Sequence, residues 1–425
     1  LITLAEAKAL ATAPERTGRR AAAAQSLLHG VLFVTILVSP FVFIEPSPYE
    51  AMTAALGFAC LLARVTLDRK LLPLVFLLLI WTLSGAVALM PVIEAEQRTV
   101  TYTAITLYLS LNAVVFACLF AHDSVRRLAI MRAAYVIAAV IVALIGTGAY
   151  FGLLPYSDTL LAFGDRARAT FKDPNVFGPF LVLPMLFTIQ SILSRGPRVR
   201  FVLTLGALAA GLLCSFSRGA WLNFAIAVVT MIGLMFVTAP DLRSRMRLVV
   251  LSGFSVLALL GFLAVMLSIG SIDQMLAERA KVTQSYDVGS GGRFTLQEIA
   301  AGAVFDNPLG MGPYEFARIH GLQQHNVYLQ AFLVYGWLGA FAYITLLVLT
   351  LALGLRMAMI ATPWQPYLIA AYSAFLATVI EGFVIDSDHW RHFFLLLGII
   401  WGLSIATMNA QQRSSAWRPL TRGAP

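Results

Sequence analysis

Residues 325–354 read His325-Asn326-Val-Tyr-Leu-Gln330-Ala-Phe-Leu-Val-Tyr-Gly336-Trp-Leu-Gly339-Ala-Phe-Ala-Tyr-Ile-Thr-Leu-Leu-Val-Leu-Thr-Leu-Ala-Leu-Gly354. From Asn326 onward the run carries no charged side chain. A helix that crosses a bilayer needs about 20 mostly apolar residues, because hydrocarbon offers the backbone no hydrogen-bond partners. This run is long enough, and a His-Asn pair stands at its mouth. Upstream, the glycine turn Gly289-Ser-Gly-Gly292 releases a short amphipathic segment at Arg293, and Asp306-Asn-Pro-Leu-Gly-Met-Gly312 makes a second turn. Polar groups at a bilayer's edge are costly to bury, so such a gathering points to a use.

Composition agrees with a membrane protein. The chain has 425 residues, 59% hydrophobic and 12% charged, with a mean hydropathy of +0.82. Soluble domains carry about 25% charge, which excludes that class. The net charge of +9 fits loops rich in Lys and Arg on one side of a membrane. With no Walker loop, zinc-finger spacing or aromatic-basic patch, no nucleic acid partner is expected. Cys60, Cys118 and Cys214 all lie in apolar runs and read as packed small hydrophobes without a disulfide.

Twelve spans are expected, at 27–44, 50–66, 71–90, 99–120, 126–151, 175–194, 199–215, 219–238, 247–269, 326–354, 365–384 and 392–409. The tight joins at 195–198 and 215–218 predict antiparallel neighbours. Residues 1–26 read as a cytoplasmic arm, 410–425 as a cytoplasmic tail, and 152–174 and 270–325 as long external loops, the second forming a periplasmic subdomain. With the N-terminus inside, 20 of the 30 Lys and Arg residues fall on the cytoplasmic side, as the positive-inside rule prefers. Arg166, Arg168, Lys172, Arg218, Arg279, Lys281, Arg293, Arg318 and Arg391 then lie outside, with His320, His325 and His389.

These external groups allow two readings. Asp173 and Ser217 are placed to cap the sixth and eighth helices, with Pro174 at a first helical position. Helix N-termini favour anions and guanidinium forks bind phosphate bidentately. Arg166, Arg168, Arg218 and Arg293 therefore suit a pyrophosphate, or else each arginine reaches to lipid headgroups or pairs with Asp165, Asp287 or Glu298. His325 titrates near neutrality and can act as an acid or base, or serve as a structural hydrogen-bonder; Asn326 can orient it or cap the tenth helix. In the last external turn, Asp386, Asp388, His389 and His392 can bind a divalent cation, contact an acceptor, or pair with an arginine and shape the site. Arg391 is a further supporting candidate. Trp390, Phe393 and Phe394 read as membrane-interface anchors.

Several motifs, in order, resemble the O-antigen ligase/polymerase superfamily. They are Arg166-x-x-x-Thr170-Phe171-x-Asp173-Pro174-Asn175-x-x-Gly178, Ser217-Arg218-Gly219-Ala220, Arg293, Asn307-Pro308-Leu309-Gly310-x-Gly312, His325-Asn326-x-Tyr328-Leu329 and Gly336-x-x-Gly339. The resemblance covers roughly 180 residues; the first 150 add only apolar spans. It implies an all-α, GT-C-like bundle and an inverting, metal-independent glycosyltransferase without a cofactor. The implied donor is a glycan on polyprenyl (undecaprenyl) pyrophosphate, and the acceptor is lipid A core for a ligase or a second lipid-linked glycan for a polymerase. Arg166, Arg218 and Arg293 would then hold the pyrophosphate, and His325 would be the catalytic base at the periplasmic face of the inner membrane. The rival class is a lipid-linked glycan transporter, which would show acids within its spans and paired halves. Here acids are almost absent from span interiors, and the polar groups crowd one face.

Overall fold

The computed structural model describes residues 19–43, 46–92, 97–162, 165–268 and 292–416. The N-terminal arm with Lys8 and Arg16, the turn residues 289–291, Arg279, Lys281, Asp287, and the tail with Arg418 and Arg422 lie outside the described residues. The protein is an all-α membrane protein. Each expected span overlaps one helix: α1 (Arg19–Val38), α2 (Pro48–Leu62), α3 (Leu72–Ala88), α4 (Gln97–Ala121), α5 (Ser124–Tyr150), α6 (Pro174–Arg195), α7 (Val199–Cys214), α8 (Arg218–Thr238), α9 (Leu242–Leu267), α12 (Val327–Ala358), α13 (Gln365–Glu381) and α14 (Arg391–Ala416). Between α9 and α12 lie α10 (Arg293–Asp306) and α11 (Glu315–His320).

Among the described residues eight helices are long and apolar enough to cross a membrane: α1, α3, α4, α5, α6, α8, α12 and α14. At 1.5 Å per residue, the 16 residues of α7 reach about 24 Å, short of a hydrocarbon core of about 30 Å. The 15-residue α2 is shorter still.

Two helices form the centre. The apolar window of α6 is 94% buried and that of α14 is 83% buried, against 22% for α8. Small residues let α14 approach α4 closely, as is common between helices in membranes. A Cβ at Gly398 would lie 2.3 Å from Cβ of Phe116, and one at Gly402 would lie 2.6 Å from the Ala117 carbonyl oxygen. Trp390, Phe393 and Phe394, expected at the membrane interface, are instead 5%, 1% and 0% exposed, because the helix that carries them is enclosed by protein. The join at 195–198 does leave α6 and α7 packed together. Across 215–218 α7 and α8 meet beside the join, where the Trp221 indole donates to the Leu212 carbonyl at 3.1 Å, but α7 packs mainly on α5 and α6 and α8 mainly on α13 and α6.

Helix α12 is broken. Gly336 has φ 66° and ψ −179°, an extended mirror-image conformation inside an otherwise helical run. The turn at 307–312 fills the gap. The Trp337 N–H donates to the Pro308 carbonyl at 2.9 Å, and the Met311 and Gly312 N–H groups donate to the Leu333 carbonyl at 2.7 and 3.2 Å. Non-helical backbone at membrane depth needs such partners from protein. A Cβ at Gly336 would stand 2.6 Å from the Leu309 carbonyl carbon, and one at Gly310 would stand 2.8 Å from the Gly336 nitrogen. Gly310 and Gly336, one from each glycine motif, are thus two halves of one close contact.

Candidate active site

One end of the bundle gathers the N-termini of α6, α8 and α12 and the C-terminus of α13. Each of these N-termini carries the side-chain cap its sequence calls for. Asp173 accepts from the Asn175 N–H at 2.7 Å, and Ser217 accepts from the Ala220 N–H at 3.3 Å. Asn326 accepts from the N–H groups of Tyr328 and Leu329 at 3.0 and 3.2 Å. Asn326 is therefore the cap of α12, and its amide also donates to the Phe383 carbonyl at 3.2 Å. Two of the loops entering this end turn through left-handed residues, Phe216 at φ 45° and His325 at φ 48°. Non-glycine residues adopt that region only where the surroundings enforce it.

His325 is half-exposed, and its Nδ1 lies 3.4 Å from Oδ2 of Asp386. Burial raises the Asp386 carboxyl above its ordinary range; the imidazole and the Asn326 N–H pull it back, and Asp388 adds to the rise. The main chain around His325 is pinned from two sides. The Val327 N–H donates to the Gly382 carbonyl at 2.8 Å. The Gln297 amide donates to the carbonyls of His325 and Phe383 at 3.2 and 3.3 Å. Gln297 stands four residues after Arg293 on α10, so both share one face of that helix. This places the first turn of α10 beside the histidine.

The α8 N-terminus joins through Glu381. That carboxylate is 3% exposed and accepts from the Asn223 amide at 2.7 Å. A Cβ at Gly219 would fall 2.7 Å from its Oε1, so Gly219 permits the contact. Arg218, the first residue of α8, is half-buried beside it. Arg166 is brought in by a two-residue hairpin, β1 (Leu161–Ala162) and β2 (Arg166–Ala167), with Ala162 opposite Arg166. Its guanidinium is 7% exposed overall as a residue and donates to the Ser215 carbonyl at 3.0 Å and to Asn175 Oδ1 at 2.8 Å. Asn175 Oδ1 also accepts from the Ser217 hydroxyl at 2.8 Å. Arg166, Arg218, Arg293, His325, Asn326 and Asp386 therefore sit on segments linked by direct contacts.

The remaining candidates are held elsewhere. Arg168 donates to the carbonyls of Thr159 and Lys172 at 2.9 and 3.4 Å and closes its own loop. Arg391 pairs with Glu50 and lies 4.9 Å over the Tyr49 ring. Asp388, 4% exposed, accepts from the hydroxyls of Tyr102 and Tyr335 at 2.7 and 3.0 Å. His389 Nε2 is 2.7 Å from the Thr106 hydroxyl, His392 is buried against Trp390 and Phe180, and His320 lies on Phe316. Among the described residues no group of three or more His, Cys, Asp or Glu is placed to hold a metal ion. Gln297, Glu381 and Asn223 were not singled out as site residues from sequence. The signals were there: an acid at the end of an apolar run, and a glutamine one helical turn after Arg293.

Fold and site together define a multi-pass, all-helical membrane protein with a basic, histidine-bearing cluster at one end of its bundle. Residues 203–344 match the family model described as O-antigen ligase, and the match supports membership of the O-antigen ligase/polymerase superfamily, a family of glycosyltransferase-like enzymes. The matched region contains Arg218, Arg293 and His325; Arg166 and Asp386 lie outside it. No curated protein matches the chain.

Proposed function

We propose that this protein transfers a glycan from polyprenyl pyrophosphate to an acceptor hydroxyl at the periplasmic face of the inner membrane, with both termini cytoplasmic. The observation that carries the reading is the His325–Asp386 pair, set among the first turns of α8 and α10 in a chain with an O-antigen ligase match. Asp386 faces Nδ1, which leaves Nε2 to take the proton. The acceptor oxygen attacks the anomeric carbon as the bond to the pyrophosphate oxygen breaks. Attack comes from the face opposite the leaving group, so the configuration inverts. His325 receives the hydroxyl proton, and the pyrophosphate departs with the bonding electron pair. Arg218 and Arg293, at helix N-termini, neutralise its developing charge. Arg166 supports the same anion through the Asn175–Ser217 link. No metal or cofactor takes part in this scheme. The acceptor is lipid A core in a ligase or a second lipid-linked glycan in a polymerase.

The test is purified protein in detergent with polyprenyl pyrophosphate-linked repeat units, with and without lipid A core, read on a gel. A shifted lipid A band only with core identifies a ligase; a ladder from repeat units alone identifies a polymerase. His325→Ala is expected to lose at least about 100-fold. Arg218→Lys is expected to lose most turnover, since a point charge does not replace the fork. Folded protein with no product, but with gradient-dependent movement of the donor in vesicles, would replace this reading with a transporter.

A further inference from the structure

The end of the bundle away from the candidate site holds a cleft of ≈ 290 Å³. It is built where four helices stop or start: the last turns of α6 and α8, and the first turns of α9 and α13. The floor is fixed by Gln190, whose amide donates to the Pro366 carbonyl at 2.9 Å and ties α6 to α13. One wall is polar, with Ser244 and Arg247 on α9; the other is apolar, with Leu193, Met235 and Ile369. The volume is at the lower end for small-molecule sites, about 300 Å³.

Arg247 is exposed and has no side-chain partner among the described residues. Arg243 and Arg245 precede it on the same helix, and the nearby carboxylate, Asp241, is occupied by the N–H and hydroxyl of Ser244 at 2.7 and 3.1 Å. Three arginines against this one carboxylate leave the local charge positive. Outside the cleft, α8 and α9 present exposed apolar side chains, among them Val229 at 72% and Val249 at 53%. A cationic notch at the end of helices with apolar outer faces fits a molecule with an anionic head and hydrocarbon tails. We propose that this cleft binds the headgroup of an anionic phospholipid. Its phosphate pairs with Arg247, and its acyl chains lie along α8 and α9. The site is separate from the glycan-transfer site and does not depend on that assignment.

Native mass spectrometry of the full chain in detergent tests this, with phosphatidylglycerol, phosphatidylcholine and inorganic phosphate as probes. Phosphatidylglycerol is expected to give a retained first adduct that phosphatidylcholine does not match. Arg247→Ala should weaken that adduct about fivefold, the share of one basic residue at an anionic surface. Arg247→Lys should keep most of it, and Arg356→Ala, an exposed arginine at the same end outside the cleft, should leave it unchanged. Ser244→Leu fills the notch without changing charge, and is expected to weaken the adduct even if Arg247→Ala proves unstable. Equal effects of Arg247→Ala and Arg356→Ala, or equal retention of both lipids, would overturn the site. Displacement of the lipid by millimolar inorganic phosphate would make it a free-anion site and overturn the lipid assignment.

Discussion

At the scale of single residues, the Asp386–His325 pair separates orientation from stability. Burial holds the Asp386 carboxyl above its ordinary value, so the folded state binds that proton more tightly than the unfolded chain does. The ionised form thus costs stability above the folded pKa, and the cost fades as pH falls through it. Asp386→Asn is expected to melt slightly higher than the parent at pH 7, with the gap closing toward acid. The same variant replaces the carboxylate with an amide whose NH2 can face Nδ1 and favour the wrong imidazole tautomer, and turnover should fall about 100-fold. Thermal melts and rates across pH 4–8 measure both. Unchanged turnover would remove Asp386 from the mechanism. Arg166 illustrates a different division: two of its N–H groups donate to Ser215 and Asn175, partners that residue type marked as polar without naming.

At the scale of elements, the broken helix is the decisive feature. Gly336→Ala places a Cβ 2.6 Å from the Leu309 carbonyl carbon at a backbone angle that L-residues avoid, costing about 2 kcal/mol or more. The melting temperature in detergent should drop, and the drop should not be recovered by any conservative side chain. A variant that melts like the parent would mean that the turn at 307–312 does not clip the helix. The break was not legible as such. Apolar residues continue evenly through Tyr335-Gly336-Trp337, and periodicity carries no mark of a partner some 25 residues upstream. What was legible were the two glycine motifs themselves, because close backbone approach leaves room for no other residue.

At the scale of the whole molecule, apolar run length located a helix for each expected span, and among the described residues eight of these are long and apolar enough to cross a membrane. The same runs did not show which helices lie in the centre. An aromatic cluster at a span end looks alike whether it faces headgroups or protein, which is why Trp390, Phe393 and Phe394 were misread. Arg391 likewise finds its partner, Glu50, 341 residues away in sequence. That pair fastens α2 in the outer layer to the central α14. Glu50→Gln is expected to cost about 1–2 kcal/mol, between the limits for exposed and buried pairs, and to leave turnover unchanged per folded molecule. Lost turnover with an unchanged melt would move Arg391 into the site.

The broken helix also has a biosynthetic consequence. The turn that clips it, residues 307–312, leaves the ribosome before α12 does, so the freed backbone groups of Leu333 and Trp337 meet their partners as soon as α12 is made. The His325 segment must wait, because Gly382, Phe383 and Asp386 arrive only with the end of α13. The bundle is therefore clipped first and armed later. In chains stalled at successive lengths, a Pro308→Cys/Trp337→Cys crosslink is expected once α12 has emerged, well before residue 386 does. A crosslink that forms only after α13 is complete would reverse that order and make the site the template for the clip.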